Sequence, residues 1–420
     1  MKRPSLSRVS ISCCIAVALG WASGSVAAPI QPGENVQDEL QEALILVEEG
    51  GVIELGEGVF EFVGSLSLDV DGVTLRGQGI DKTILSFKNQ DAGSEGLIVT
   101  SSGVTLRDFA VEDTIGDAIK VKGAKGISFY NVRAEWTGGP KETNGAYGLY
   151  PVESENVLID GCVAIGASDA GIYVGQSRNV IVRNSTAKYN VAGIEIENCY
   201  NADVYNNLAT HNTGGILIFD LPNLPQQGGH NVRVFNNRSV DNDTPNFAPK
   251  GNIVGTVPTG SGLIIMANRN VEVFGNEFSG NGTFNISVTA YMAGPDEKVD
   301  PNYYPYPEGI YIHDNTFGTG GYKPMGVLGM LAAQAAKSST LGDIMWDGRM
   351  NPEKTKDGKL PESDWIYIKE SADTEFINID LGTFMTNPEA SNPSRDVSAH
   401  QGELPRLPAV KLPQDMENTD

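Results

Sequence analysis

Short segments in which apolar residues alternate with other residues recur along most of the chain. Nine of them begin at Val73, Val104, Ile127, Val157, Val180, Ala202, Val232, Val271 and Ile310. The first and third positions of each segment are apolar, and a period of two places them on one face of a β-strand. The starts lie 22 or 23 residues apart at the shortest spacing and further apart where inserts intervene. This period predicts a stack of strand-containing units.

The fifth position of every segment predicts a corner. It holds residues that tolerate a left-handed backbone: Gly77, Asp108, Asn131, Gly161, Asn184, Asn206, Asn236, Gly275 and Asp314. Asparagine also recurs in two columns, one at Asn207, Asn237, Asn276 and Asn315 and the other at Asn190, Asn212, Asn242 and Asn281. We expect the stacked amides to hydrogen-bond from unit to unit.

A second apolar segment follows the corner in most units, beginning at residues 118, 148, 171, 193, 215, 262 and 285. Two or three short strands in each unit, stacked in parallel, predict an all-β, right-handed parallel β-helix of about ten coils. A β-propeller is excluded, because its repeats need roughly 40 residues or more.

The chain resembles the pectate-lyase-like superfamily of parallel β-helices. The resemblance rests on the repeat itself, on an amphipathic segment at 35–47 that looks like a cap helix, and on the runs GVIELGEGVF (51–60) and VTLRGQGIDKTIL (73–85). It is strongest to a group of exported bacterial β-helix repeat proteins that lacks an established activity. The resemblance covers about residues 30–340 and implies the fold, whereas function has to be read from individual residues.

The pattern decays at the C-terminal end. We expect the β-helix with its N-terminal cap to span 28–340 and an irregular C-terminal cap, containing Trp346 and Trp365, to span 341–387. Residues 388–420 are Pro-rich and acidic, which predicts an extended or disordered tail.

The first 27 residues have the order of a secretory signal peptide. Lys2, Arg3 and Arg8 precede an apolar run at 11–21 and then small residues, with cleavage expected after Ala27. We therefore expect a soluble protein in the periplasm or outside the cell, because no later stretch is long and apolar enough to span a membrane. Cys13 and Cys14 raise lipoprotein anchoring as an alternative, but the apolar run lies mostly after them.

Charge narrows the set of partners. The formal net charge of the whole chain is −23, and removal of residues 1–27 makes it more negative still. Such a surface repels nucleic acid. Beyond the leader only Cys162 and Cys199 remain, and their different positions in the coil argue against a disulfide.

The outward positions of the second strands supply the candidate chemistry. Long inserts flank these strands, and loops framing one face of a rigid sheet make a groove. Glu195 and Glu197 lie two apart on one strand, so their backbones are about 7 Å apart, which is compatible with an acid–base pair. Lys120 is the third catalytic candidate. The expected substrate-binding residues are Tyr150, Tyr173, Lys122, Phe219 and Asp220. Aromatic rings suit sugar faces, and the lysines could neutralise a uronate.

A rival surface is the outward column of the first strands: Arg76, Arg107, Tyr130, Asp160, Arg183, Tyr205, Phe235, Phe274 and His313. The aromatic run within it is a sugar platform or a protein contact if exposed, but we expect a loop or the C-terminal segment to cover it. If a metal binds, we expect calcium at Asp296, Glu297 and Asp300, or at Asp241 with Asp243.

Two functions stay open from the sequence. One is a protein that binds a polysaccharide along the groove and cleaves or epimerises it, as a lyase, hydrolase or epimerase would. The Asp pairs of polygalacturonase-like hydrolases, the Asp-Pro-His-Asp motif of alginate epimerases and the Arg-x-Pro-x-x-Arg signature of pectate lyases are absent. The other function is a non-catalytic scaffold that docks another exported protein through its aromatic column.

Overall fold

The computed structural model describes residues 28–294 and 296–417. The signal-peptide prediction, including Cys13 and Cys14, lies outside these residues. Within them, no helix is long and apolar enough to cross a membrane.

Thirty short strands form the regular framework of the described chain. The first fifteen are β1 (Val52–Glu54), β2 (Gly58–Glu61), β3 (Leu66–Leu68), β4 (Thr74–Arg76), β5 (Thr83–Ser86), β6 (Leu97–Val99), β7 (Val104–Glu112), β8 (Ile119–Lys122), β9 (Lys125–Glu135), β10 (Tyr147–Val152), β11 (Glu155–Asp160), β12 (Val163–Ile165), β13 (Ala170–Gly175), β14 (Arg178–Arg183) and β15 (Thr186–Lys188).

The remaining strands continue the same order. They are β16 (Ala192–Glu197), β17 (Tyr200–Tyr205), β18 (Leu208–Thr210), β19 (Gly214–Phe219), β20 (His230–Phe235), β21 (Arg238–Val240), β22 (Ser261–Met266), β23 (Arg269–Phe274), β24 (Glu277–Ser279), β25 (Phe284–Thr289), β26 (Glu308–His313), β27 (Thr316–Phe317), β28 (Ile344–Trp346), β29 (Ile366–Lys369) and β30 (Phe376–Asn378). The α-helices are α1 (Val36–Leu46), α2 (Gly326–Ala335), α3 (Leu381–Thr386) and α4 (Gln414–Glu417).

These strands form two long parallel sheets that wind around one core. The first sheet has 19 strands, and the second has 11, in the order β3-β6-β8-β10-β13-β16-β19-β22-β25-β28-β30. Every pairing between named strands is parallel, and consecutive coils stay in register, as when Val157 pairs with Val180 and Val180 with Ala202. The eleven strands of the second sheet mark about eleven coils, which confirms the predicted β-helix.

Eight of the nine predicted corner positions have the left-handed backbone conformation that the sequence predicts. Asp108, Asn131, Asn184, Asn206, Asn236 and Asp314 all have positive φ, as do Gly161 and Gly275. Gly77 does not have a positive φ, but a Cβ there would lie 2.3 Å from the backbone oxygen of Asp108. That first corner therefore needs glycine for space rather than for its backbone conformation.

Both asparagine columns form hydrogen-bonded ladders inside the stack. Asn212 shows the pattern: its Nδ2 donates to Oδ1 of Asn242 at 3.1 Å, and its own Oδ1 accepts from Nδ2 of Asn190 at 3.0 Å. The second ladder repeats this arrangement, for example from Asn237 to Asn276 at 3.0 Å. Because these side chains are buried, each rung satisfies polar groups that would otherwise be costly to bury.

The N-terminal end of the stack is closed by α1, as the sequence predicts. Val36, Leu40 and Leu44 are its buried residues, one apolar stripe at helical spacing. They belong to the same core cluster as the strand residues Phe60 and Leu66. The helix thereby removes the first coil's apolar end from water.

The predicted end of the β-helix at residue 340 is too early. β28 and β30 extend the second sheet, and β29 pairs with β26 in the first sheet. The inserts between these strands hide the period in the sequence, although the strands keep the same register. Trp346 and Trp365 pack edge to face at the end of this core, 5.9 Å apart.

The Pro-rich C-terminal segment is extended, but it is not free of the body. Residues 401–417, here called the C-terminal strap, run back over the outer face of the first sheet. The backbone N–H of Val410 donates to Asp203 at 3.1 Å, and Leu412 is buried beside Leu158 and Ile181. The prediction of disorder from composition is wrong for these residues, because a few apolar and basic side chains have specific partners on the sheet.

Candidate functional site

Three tyrosines from neighbouring coils meet on the outer face of the second sheet. Tyr150 and Tyr173 lie at outward positions of second-sheet strands, on β10 and β13, and Tyr147 lies at the start of β10. Their ring centroids are 4.4 Å apart for Tyr147 and Tyr150, 4.6 Å for Tyr147 and Tyr173, and 5.0 Å for Tyr150 and Tyr173. Parallel strands place side chains of successive coils about 4.8 Å apart, which produces this contact.

Three carboxyl groups lie against the tyrosines. Glu195 and Glu197 come from β16, and Asp169 comes from the turn before β13. Tyr173 donates a hydrogen bond to Glu197, and Tyr147 donates to Asp169 at 3.4 Å. We call these six residues, Tyr147, Tyr150, Asp169, Tyr173, Glu195 and Glu197, the tyrosine–carboxylate cluster.

The carboxyl groups hold their protons unusually tightly. Burial raises the pKa of Glu197 to about 7, partly opposed by the hydrogen bond from Tyr173. Burial and the charge of Glu197 raise the pKa of Asp169 to about 7. The pKa of Glu195 is raised well above its ordinary value by burial and by the charges of Glu197 and Asp169. At neutral pH the cluster therefore holds carboxylic acids beside carboxylates, which is what acid–base chemistry requires.

Glu195 is the most constrained of the three acids. It is 1% exposed, and its Oε2 has no hydrogen-bond partner among the described residues. A buried carboxyl oxygen without a partner costs stability, and Glu195 therefore requires an explanation.

One edge of the cluster is open to solvent. Tyr150 is half-buried there, with the Lys120 ammonium 5.2 Å from its ring centroid. Lys120 pairs with Glu95 at 3.3 Å and with Asp117 at 3.7 Å, and Lys122 lies 3.9 Å from Glu153. Both predicted lysines are therefore present at the edge, but acidic side chains already neutralise them.

The groove expected above Glu195 and Tyr173 is closed, which corrects the prediction of an open site. Phe247 and Ala248, from the insert between β21 and β22, pack on the apolar cluster that contains Tyr173. Asn252 of the same insert contacts Asp169 at 3.4 Å. The insert folds inward because it carries apolar residues of its own, a property that loop length did not show.

Phe219 and Asp220, the other two predicted binding residues, do not face the open edge. Phe219 is 2% exposed and points toward the apolar half of the sheet. Asp220 is fully buried and accepts a hydrogen bond from the backbone N–H of Gly229 at 2.7 Å, so it holds the shape of its own insert. Burial raises its pKa to about 6.

Sequence reasoning missed Tyr147 and Asp169. Neither residue lies at one of the outward positions of the second strands, because both lie where the chain enters a strand. A signal was available for Tyr147: it lies three residues before Tyr150 and directly before the predicted segment that begins at residue 148. For Asp169 the only signal was an acidic residue directly before a strand.

The predicted calcium sites are not assembled. Within residues 28–294 and 296–417, no group of three or more His, Cys, Asp or Glu side chains is arranged to hold a metal ion. Glu297 instead accepts a hydrogen bond from the backbone N–H of Gly294 at 3.0 Å, and Asp243 lies 2.9 Å from His211. Cys162 and Cys199 are buried free thiols, and burial raises the pKa of each to about 12.

The rival aromatic column is a stack of parallel rings. Tyr205, Phe235, Phe274 and His313 form this aromatic ladder, with centroids 4.7, 4.9 and 5.3 Å apart. The strap lies along it: Arg406 stacks over Phe274 at 5.0 Å and bonds to the buried Glu272 at 2.7 Å. Val410 and Tyr205 both pack against the apolar cluster that contains Leu412 of the strap. This confirms the expectation that the C-terminal segment covers the column.

The comparisons with known proteins agree with the fold. Residues 71–224 match the family model described as a right handed beta helix region. No curated protein matches the sequence.

Similar solved structures include the A-module of mannuronan C-5 epimerase AlgE4 from Azotobacter vinelandii, at 15% identity and a TM-score of 0.49, covering 74% of this chain and 87% of that one. Pectate lyase Pel9A gives 14% identity and a TM-score of 0.43, covering 66% and 71%. An alginate lyase from Paenibacillus sp. gives 15% and 0.42, covering 68% and 94%. Likeness at this level concerns the fold and not the chemistry. The chain is a right-handed parallel β-helix.

Proposed function

We propose that this is an exported protein that binds an uncharged polysaccharide at the tyrosine–carboxylate cluster and hydrolyses it. The observation that carries the proposal is the group of three buried carboxyl groups, two of them hydrogen-bonded to tyrosine hydroxyls, with pKa values raised toward or above neutral pH. Hydrolysis of a glycosidic bond needs one carboxylic acid to protonate the leaving oxygen and one carboxylate to activate water or attack the sugar. Export is inferred from the pattern of residues 1–27.

The charges at the open edge support an uncharged sugar. A lyase or epimerase acts on a uronate, whose carboxylate has to be neutralised before the neighbouring proton can leave. Here the two lysines at the edge are already paired with Glu95, Asp117 and Glu153. A uronate would meet a site with more acids than bases, whereas a neutral ring would stack on Tyr150.

Access requires movement of the covering insert. Asn252 contacts Asp169 only at 3.4 Å, and Asn246 holds its own insert through the carbonyl groups of Val254 and Val257. We therefore expect the insert between β21 and β22 to move as one piece when a polymer reaches Glu195 from the Tyr150 edge. Closure over a bound sugar would exclude water from the acids.

The alternative, a scaffold that docks another exported protein through the aromatic ladder, has less support. The strap already occupies the surface on which such a partner would sit.

The test is a panel of neutral and uronic polysaccharides, each with and without calcium, assayed for binding, new reducing ends and unsaturated products. We expect the protein to release reducing ends from a neutral polymer without calcium. Glu197→Gln should lower kcat by about a hundredfold or more, because it removes a proton-transferring group. Tyr150→Ala should mainly raise KM.

The matched control is Glu155→Gln, an exposed glutamate on β11, which should act like the unmodified protein. Unsaturated products would replace hydrolysis by elimination, and activity on uronic polymers alone would contradict the uncharged substrate. Failure to bind any polymer would contradict the carbohydrate proposal altogether.

A further inference from the structure

A cavity of about 350 Å³ lies over the C-terminal half of the second sheet. Its floor is formed by β19, β22, β25 and β28, and its walls by α2 and by the 3-10 helix Ile253–Thr256. The lining is mostly apolar and includes Phe219, Ile264, Met266, Phe284, Leu331 and Met345. This volume falls in the range of small-molecule sites.

The cavity also contains one polar group that lacks a partner. Ser287 lines it, is 1% exposed, and its hydroxyl has no hydrogen-bond partner among the described residues. A buried hydroxyl without a partner is costly, and a ligand that supplies one hydrogen bond removes that cost.

The charged residues of the lining are acids, and both are already satisfied. Asp347 accepts hydrogen bonds from the backbone N–H groups of Ala290 at 2.8 Å and Arg349 at 2.9 Å. Glu297 accepts from Tyr291 and from the backbone of Gly294. An anion would be repelled by these acids, and a cation would find no unpaired carboxylate to bind.

Apolar side chains also reach the surface beside this cavity. Ile253 and Met292 belong to its lining and are 44% and 37% exposed. Such residues give an apolar molecule an apolar surface to contact as it enters.

We propose that this cavity binds a small, uncharged, mainly apolar molecule that makes one hydrogen bond to Ser287. The cavity volume limits the molecule to roughly the size of two or three fused or linked rings. The site lies beside the proposed hydrolytic site: Phe219, at its near wall, lies one coil beyond Glu197, and the wall helix Ile253–Thr256 belongs to the insert between β21 and β22. Dye binding and release of reducing ends are measured separately, so failure of one proposal is distinguished from failure of the other.

The probe is N-phenyl-1-naphthylamine, an uncharged two-part aromatic amine whose fluorescence rises in apolar surroundings and whose N–H can donate to Ser287. We expect a saturable rise with one site per full-length chain. The anionic analogue 1-anilinonaphthalene-8-sulfonate, which has nearly the same skeleton, should bind at least tenfold more weakly.

Three variants locate the binding. Ser287→Met fills the cavity from the sheet and Ala332→Leu fills it from α2, so each should abolish the saturable signal. Ser287→Ala should weaken binding by about three- to tenfold, the value of one hydrogen bond. Ser67→Met makes the same exchange at an exposed position of the same outward column and should change nothing.

Circular dichroism and thermal unfolding identify a variant that fails to fold. If one of the two filling variants, Ser287→Met or Ala332→Leu, fails to fold, the other one tests whether filling the cavity abolishes binding. No saturable binding to the unmodified protein, equal binding of the anionic analogue, or undiminished binding in a folded filling variant would each overturn the proposal.

Discussion

A single buried carboxyl can set how the stability of this protein depends on pH, and Glu197 is the best placed to do so. Its pKa rises from 4.5 to about 7 on folding, mainly through burial. The folded state therefore holds a proton that the unfolded chain has already lost between these values. The stability that this proton contributes is fully present below about pH 4.5 and is lost as pH rises through about 7.

We predict that Glu197→Gln removes part of this loss. The unmodified protein should be less stable at pH 8 than at pH 5, and the variant should reduce that difference by up to about 3 kcal/mol. Urea unfolding at the two pH values measures it. Glu155→Gln, at an exposed site, should leave the difference unchanged. An equal pH slope in Glu197→Gln would mean that Glu197 titrates normally in the folded protein.

At the scale of the elements, the asparagine ladders connect one coil to the next. Asn212 makes rungs to both neighbours, and its Nδ2 also reaches the carbonyl of Ala187 at 2.9 Å. Since the ladder is buried, removal of one amide leaves unpaired groups on two other asparagines.

Asn212→Ala should therefore lower the free energy of unfolding by about 3 kcal/mol, as measured by urea unfolding. Asn392→Ala changes the same residue type at an exposed position and should have almost no effect. Similar stability in the two variants would show that the rungs contribute little.

The elements of the coil were predictable because their causes are local. Alternation of apolar residues places Val157 and Ile159 inward, and Asn184 or Asp108 marks a corner whatever surrounds it. The site was only half predictable for the opposite reason. Glu195 and Tyr173 follow from register, but their burial depends on an insert whose apolar residues Phe247 and Ala248 have no period.

At the scale of the whole molecule, the strap joins coils that are otherwise in contact only with their neighbours. Lys369 of β29 pairs with Glu403 at 2.9 Å, Arg406 reaches Glu272 on β23, and Val410 reaches Asp203 on β17. Hydrogen bonds from His313, Arg406 and the backbone of Leu407 hold the pKa of Glu272 below its ordinary value, although burial alone would raise it.

A variant that ends at His400 should lose at least about 2 kcal/mol of stability, because the ion pair of Arg406 with Glu272 and the burial of Leu412 are lost. Hydrogen exchange should accelerate in β17, β20 and β23 and stay unchanged in β8 and β10. Lys411→Ala, which changes an exposed strap residue, is the control. Unchanged exchange in β17 to β23 would mean that the strap does not hold these coils.

The direction of the strap also has a consequence in time. The strap runs from the later coils back toward the earlier ones. Near its end, the hydroxyl of Tyr130 in β9 donates a hydrogen bond to the backbone of Met416. The coils can assemble in the order in which the ribosome makes them, since each needs only its predecessor. A chain released before residue 401 is made would carry a complete stack with its aromatic ladder bare. The strap therefore closes over the ladder only after the coils that it contacts have been made.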